Sequence, residues 1–481
     1  MTRVGAAPWQ GGGALILGGR DFPLSGGRPA GWNQASPMHP LSLCSALLGL
    51  AAVAVARPAN LVLIMADDFG YECVTANGGE SYRTPHLDRL AANGMRFERC
   101  HVQPLCTPTR VQLMTGLYNV RNYVEFGAME RGALTFGHVL RDAGYRTAVA
   151  GKWQLGVEPD SPRHFGFDEA FLWHHLRRAS RYGNPGFERD GEPVDFPGSY
   201  GPREVQAFAL DFIRRHRERP FFLYYPMMLT HSPFQPTPDS AKWDPRIGER
   251  GNQSPAHFAD MVAYMDRQIG ELGAHLETLG LRENTLVLFL GDNGTATDLT
   301  SRFQGQDYPG GKGRSHARGT HVPLIAHWPG RIPAGSVNRD LIASVDFLPT
   351  LADAAGVAWP AGRLTDGRSF WPQLQGQPGT PREAIYCWYA SDGGPVARFE
   401  FALGTRYKLY RDGRFFDLQA DPFEQGKPLP LPTTDGEPAA AARALQAVLD
   451  QYAEARTAHL RQERVTAKQA KRADKQGKAK R

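Results

Sequence analysis

The chain has 481 residues, 41% of them hydrophobic, and a formal net charge of +6. This excludes intrinsic disorder and leaves room for one large core with a smaller attached unit. Much of the charge lies in a Lys- and Arg-rich run from Arg464 to Arg481 whose single acid is Asp474, which reads as a solvated basic tail. No helix-turn-helix, zinc-finger spacing or RNP-like segment accompanies it, so nucleic acid is not an expected partner.

Residues 1–56 read as a leader. The first 37 are Gly- and Pro-rich; Met38, a second candidate start, opens the apolar run MHPLSLCSALLGLAAVAVARPA with Ala54-Val55-Ala56 as a cleavage site. The run is short for a membrane span, so the expectation is an exported chain, periplasmic or secreted, with no span in its mature part. Of the five cysteines Cys44 leaves with the leader. Cys73, Cys100, Cys106 and Cys387 are too few for a disulfide framework; one pair could bridge, and the sequence does not choose it.

From residue 58 short apolar runs alternate with helical stretches. NLVLIMADD reads as a buried strand running into two acids, TPHLDRLAANG as a helix closed by Gly94, and YRTAVAGKW and RPFFLYYPMML as further strands. HFADMVAYMDRQIGELGAHLETLG reads as a long amphipathic helix, TLVLFLGDNG and VPLIAHW as strands, and SVDFLPTLADAAG as a helix. The alternation predicts an α/β fold: a large mixed, mostly parallel sheet sandwiched by helices, with sites beyond the strands' carboxyl ends. After about residue 376 the aromatic runs AIYCWYA, FEFALG, YKLYRDG and RFFDLQ predict a smaller antiparallel sheet, followed by a helix over 439–460. The expected organisation is a main domain over 57–375, a C-terminal subdomain over 376–460 and a disordered basic tail over 461–481.

Two strand ends carry matching polar pairs, Asp67-Asp68 and Asp292-Asn293. Buried acids need a neutralising cation, and carboxylate and amide oxygens without paired His or Cys suit calcium or magnesium. Either pair alone also reads as a turn or helix cap. Between them lies PLCTPTRVQLMTG, where Cys106 could be a buried small hydrophobe.

The string around Cys106 resembles the signature of the type I sulfatases, in the alkaline phosphatase superfamily, whose Cys-x-Pro-x-Arg directs oxidation of the cysteine to formylglycine. Cys106, Pro108 and Arg110 supply it. The resemblance runs over roughly residues 58–425 through ADDFGY, TPHLDRLA, AGKWQLG, THSPF, GDNG, GGKG, VPLIAHWPG, DFLPTLADAAG and FFDLQADPFE. It implies an alkaline-phosphatase-like fold, with 57–375 as the catalytic domain, and hydrolysis of sulfate esters. It further implies Ca2+ held by Asp67, Asp68, Asp292 and Asn293, with an oxygen of the modified Cys106 completing the site. Arg110 would hold the formylglycine hydrate, Lys152 and Lys312 the sulfate; Asp292 would help deprotonate the attacking oxygen, and His231 with Lys312 would protonate the leaving alcohol. A formylglycine-generating maturation enzyme is the implied protein partner.

The sequence departs from the family pattern in two places. Gln154 stands where the family has a histidine in Gly-Lys-Trp-His-Leu-Gly, and an amide cannot take a proton. Lys152 and Gln154, two apart on a strand, should face the same pocket, leaving His231, His321 or a water held by Asp292 as bases. After Lys312 the usual Glu-Gly-Gly-x-Arg becomes Ala317-Arg318-Gly319-Thr320-His321. A phosphate or phosphonate ester hydrolase and a non-catalytic binder of sulfated glycans remain alternatives. The insertion over 171–183, with Trp173, His174, His175, Arg177, Arg178, Arg181 and Tyr182, suits a sulfated or uronic-acid sugar, or reads as an amphipathic helix with a basic face.

Overall fold

A computed structural model describes residues 57–456 and 460, apart from 249–250, 395–396 and 433. The leader and the basic tail lie outside the described residues. In chain order the elements are β1 (Asn60–Ala66), helix α1 (Pro85–Ala92), β2 (Met95–His101), helix α2 (Cys106–Thr115), β3 (Arg146–Lys152), β4 (Glu169–Trp173), β5 (Gly186–Arg189), β6 (Glu192–Asp195), β7 (Phe221–Pro226) and β8 (Thr285–Gly291). The hairpin β9 (Thr300–Phe303) and β10 (Gln306–Pro309) follows, then β11 (His321–His327), β12 (Ser336–Asn338) and β13 (Ile342–Ala343). A four-stranded sheet is built from β14 (Ile385–Tyr389), β15 (Phe399–Leu403), β16 (Tyr407–Tyr410) and β17 (Phe415–Asp417), ahead of a helix over Glu437–Gln451.

The large sheet runs β12-β2-β11-β8-β1-β7-β3-β4-β5-β6, with β13 also on β2. Its centre, β8-β1-β7-β3-β4, is parallel; β11 and the β4-β5-β6 edge pair antiparallel. The central strands read as continuous apolar runs because both faces are covered. Leu61, Leu63 and Met65 of β1 enter one core with α2 and the helix Phe347–Ala354, while Val62, Ile64 and Ala66 enter the other with α1 and the helices Gly201–Arg215 and Phe258–Thr278. The four-stranded antiparallel sheet feeds Tyr386, Phe401 and Tyr407 into the first of these cores. The expected mixed, mostly parallel sheet with a smaller antiparallel one is therefore found.

Several local expectations change. Helix α1 is capped by Asn93, and Gly94 serves a close approach instead: a Cβ there would lie 2.2 Å from the Ala326 carbonyl oxygen. β3 ends at Lys152, so Gln154 is not on an extended strand; its φ of 58° places it in the left-handed region. The segment 171–183 forms no amphipathic helix but finishes β4 and continues as a loop. β2 was missed because MRFERCH alternates charged with apolar residues, and the helix Gly201–Arg215 because Pro197, Gly198, Gly201 and Pro202 precede its apolar stripe. The four cysteines in the described residues are buried and free.

The small sheet reaches the segment that carries Lys312. Lys408 Nζ, buried over the rings of Phe401 and Tyr410, donates to the Ser315 carbonyl at 2.6 Å and to Glu424 at 2.6 Å. Removing one partner of a buried ion pair strands the other. Lys408→Ala should lower unfolding stability by about 3–5 kcal/mol in urea titrations, and the double variant Lys408→Met/Glu424→Gln by less.

Glu72 sets a pH dependence. It is fully buried, accepts from the Thr295 hydroxyl, and its Oε2 has no partner. Burial pushes its pKa from 4.5 to about 7 despite that hydrogen bond. The native state therefore keeps a proton that the unfolded chain loses, so stability falls as pH rises from 4.5 through 7. Glu72→Gln should remove this slope and gain about 3 kcal/mol at pH 8 relative to pH 4.5, read by denaturant titration at both pH values.

Candidate active site

Register brings the two polar pairs together. Ala66 of β1 lies beside Gly291 of β8, so the next residues, Asp67-Asp68 and Asp292-Asn293, emerge side by side. Asp68 N–H donates to Asp292 Oδ1 at 3.0 Å, and Asn293 Nδ2 donates to Asp68 Oδ1 at 2.9 Å. All four side chains are buried. On the other flank of β1, Asp67 N–H donates to Leu229 O and Thr230 N–H to Asp67 O, both at 2.8 Å, which carries the chain from β7 to His231.

Three cations answer these carboxylates. Lys152 Nζ lies 2.7 and 3.0 Å from the two oxygens of Asp67, Lys312 Nζ donates to Asp68 Oδ2 at 2.6 Å, and Arg110 Nη2 donates to Asp292 Oδ2 at 3.1 Å. Burial alone would raise Asp67 and Asp68. Lys152 foremost for Asp67, and His231 with Lys312 for Asp68, hold both below the usual carboxylate range. Asp292 goes the other way: burial, then the charge of Asp67, push it up to about 7. Asp68 and Asp67 keep the largely buried Lys312 protonated against burial.

Cys106 opens helix α2, every residue of which is buried. Arg110, one turn on, also donates to the Lys152 carbonyl at 2.8 Å and so ties α2 to the end of β3. The Cys106 thiol donates to Gln154 Oε1 at 3.0 Å. Burial raises its pKa despite Lys152 nearby, so the unmodified side chain is a neutral thiol and a poor nucleophile.

His231 stands beside this cluster. Its Nε2 is 3.0 Å from Lys312 Nζ and 3.7 Å from Asp68 Oδ2, and its Nδ1 is 2.6 Å from Ser232 O and 3.0 Å from Arg181 Nη1. Lys312 and Arg181 only donate, so a neutral imidazole accepts from one of them: from Lys312 when Nδ1–H donates to the Ser232 carbonyl, from Arg181 when Nε2 carries the proton. Burial pushes His231 down to about 4 against the pull of Asp68 and Asp67.

Above Cys106 opens a cavity of about 390 Å³ lined also by Lys152, Gln154, His231 and Lys312. Lys152 and Gln154 do face one pocket, but through a turn: Gln154 N–H donates to His174 O at 3.1 Å where both chains leave the sheet with positive φ. His321 does not line it; stacked on Tyr71 and His101, it faces the Glu98 carbonyl and drops out as a candidate base. Of the insertion over 171–183, Trp173, His174, Arg178 and Arg181 reach the cavity. Phe126 and Gly127 also line it; nothing local in their sequence marks them, and the Gly127 N–H bond to Thr107 Oγ1 and the Phe126 N–H bond to Ser391 O tie them to distant segments. A larger cavity, about 590 Å³, lies between the helix Glu437–Gln451 and the small sheet, remote from this cluster, and Arg121, Arg382 and Arg406 on its wall are paired with acids.

The donor set fits a hard divalent cation. Asp67, Asp68 and His231 bring ligand atoms within 4.8 Å of one another, and Asn293 Oδ1 is buried without a partner. Hardness favours the oxygens of Asp67, Asp68, Asp292 and Asn293 over His231, whose Nε2 faces a lysine.

Comparison with known proteins gives the family. Residues 59–357 match the sulfatase family model, and residues 312–430 match "N-sulphoglucosamine sulphohydrolase, C-terminal". The chain is 36% identical to arylsulfatase A of Homo sapiens over 422 residues, 79% of this chain and 80% of that one. It is 33% identical to N-acetylgalactosamine-6-sulfatase of Canis lupus familiaris, over 72% of each chain. Among solved structures, the PsFucS1 sulfatase from Pseudoalteromonas sp. shares the fold with a TM-score of 0.65 at 23% identity, covering 83% of this chain and 91% of that one. The chain belongs to the sulfatase family and is a sulfuric ester hydrolase.

Proposed function

We propose that this sulfatase acts on a sulfated carbohydrate, with Cys106 converted to formylglycine as the nucleophile and one calcium ion held by Asp67, Asp68, Asp292 and Asn293. The observation that carries the reading is Cys106 itself: a neutral, buried thiol on the floor of a cavity, with Gln154, Lys152 and Lys312 around it, needs chemical activation before it can attack sulfur. When present, the ion would neutralise the carboxylates and polarise a sulfate oxygen, and the aldehyde hydrate would supply a hydroxyl nucleophile.

The chain's own residues do the rest. Lys152 and Lys312 lie where charge develops on the sulfate oxygens, fixed in advance by Asp67 and Asp68. Arg110 locks Asp292 and the Lys152 carbonyl in one arrangement, so the base and the sulfate-binding lysine move together or not at all. Lys312 and His231 share a hydrogen bond through which a proton can reach the leaving alcohol. Gln154 Oε1 accepts from whatever donor stands at position 106, orienting it without taking its proton. The leader reading fits export to a compartment where sulfated glycans are met; among the described residues no helix is long and apolar enough to cross a membrane.

In protein made alongside a maturation enzyme, peptide mass spectrometry should find residue 106 as the aldehyde, and Cys106→Ala should abolish hydrolysis of sulfate esters while the melting temperature stays within a few degrees. An unmodified cysteine in active enzyme would defeat the nucleophile assignment.

Chelation tests the ion. Stripping it should lower both activity and melting temperature, and added calcium should restore both by mass action, with metal analysis returning one calcium per chain. Active protein that contains zinc, or no metal, sinks this part.

A further inference from the structure

The cavity over Cys106 holds more positive charge than one sulfate ester uses. Four cationic side chains line it, Lys152, Lys312, Arg178 and Arg181, and no carboxylate does. Both lysines are committed to the floor through Asp67 and Asp68. Arg181 is built into the wall: it is buried, its guanidinium lies 4.0 Å over the Trp173 ring, and Nη1 reaches His231.

Arg178 differs from all three. It is exposed while lining the cavity, and among the described residues it has no hydrogen bond or ion pair. Its neighbour Arg177 turns elsewhere, to Asp195 and Glu188. Beside Arg178 in the same wall is His174, held at φ 60°, with Nδ1 buried and without a partner. Burial, then the charges of Lys152, Arg178, Arg181 and Arg110, push His174 down to about 4. Phe126, 43% exposed, adds an aromatic face to the lining. A guanidinium in a concave wall without a protein counter-charge attracts anions more strongly than one on open surface.

We propose that Arg178 and His174 form a second anion subsite, and that the substrate carries, besides the sulfate ester presented to Cys106, a further anionic group, a second sulfate or a carboxylate, on the same or the adjoining sugar ring. This rests on the sulfate-ester reading above and narrows its substrate class to molecules with at least two anionic groups.

Binding and turnover separate the two claims. In Cys106→Ala protein with calcium, calorimetry at fixed ionic strength compares a neutral hexose monosulfate, a hexose disulfate and a sulfated hexuronate. The disulfate or the uronate should bind about 10- to 100-fold tighter than the monosulfate, the range for one hydrogen bond to a charged group. Whichever of the two gains identifies the second group as sulfate or carboxylate. Arg178→Gln should erase that gain, and Arg177→Gln should keep it. In the mature enzyme the kcat/KM ratio of the preferred ligand over the monosulfate should fall in Arg178→Gln by the same factor. Equal affinities for all three ligands, or a gain that survives Arg178→Gln, overturn the subsite. An enzyme that cleaves none of them, yet shows the Arg178-dependent gain in binding, retains the subsite and loses the hydrolytic reading.

Discussion

Three carboxylates, Asp67, Asp68 and Asp292, are taken out of water at the ends of two adjacent parallel strands, and the architecture of the site follows from making that tolerable. Each such charge, left uncompensated, costs several kcal/mol. The fold answers with a cation apiece: Lys152 from β3, Lys312 from the loop after β10 and Arg110 from α2. None of these is near its partner in sequence, so the site exists only when five separate segments are docked. Asp292 differs from the other two: burial, then the charge of Asp67, push its pKa up although Arg110 and Lys152 pull it down.

Helix α2 is the piece on which this docking turns. Thr107, Thr109, Arg110, Gln112 and Thr115 are polar yet buried, which an ordinary amphipathic helix avoids. Each finds a specific partner: Thr109 bonds Gln103 and Leu105 O, Gln112 bonds Asn119 and Ser344, and Thr115 bonds Val111 O. A buried polar helix satisfied in this way has one position, and it presents Cys106 at its first turn to Gln154. The small antiparallel sheet contributes at a distance, since Lys408 and Tyr410 hold Ser315, three residues beyond Lys312.

Floor and wall of the cavity therefore have different origins. The floor is made by strand ends and α2, where register fixes position to within a residue. The wall comes from the loop after β4 and from the segment around Phe126, where single contacts such as Arg181 on Trp173 set the shape. A loop can vary its side chains without disturbing the sheet, so the wall can change while the floor stays as it is.

The chain's sequence by itself determined the sheet's central strands, because LVLIMA and TLVLFL are apolar on both faces, and it singled out Asp67, Asp68, Asp292, Asn293, Cys106, Arg110, Lys152, His231 and Lys312 because each sits inside a string that resembles a sulfatase motif. It missed β2 and the helix Gly201–Arg215, whose patterns are blurred by charge alternation and by glycine and proline, and it extended β3 past Lys152 to Gln154. Only the tertiary structure decided which acid meets which cation, that His321 is turned away toward Glu98, that Arg177 pairs with Asp195 while Arg178 faces the cavity, and that Phe126 joins the cavity. The physical reason is range: strand and motif signals are local and periodic, whereas ion pairing and cavity lining depend on contacts between segments tens to hundreds of residues apart, which register and docking alone bring within reach.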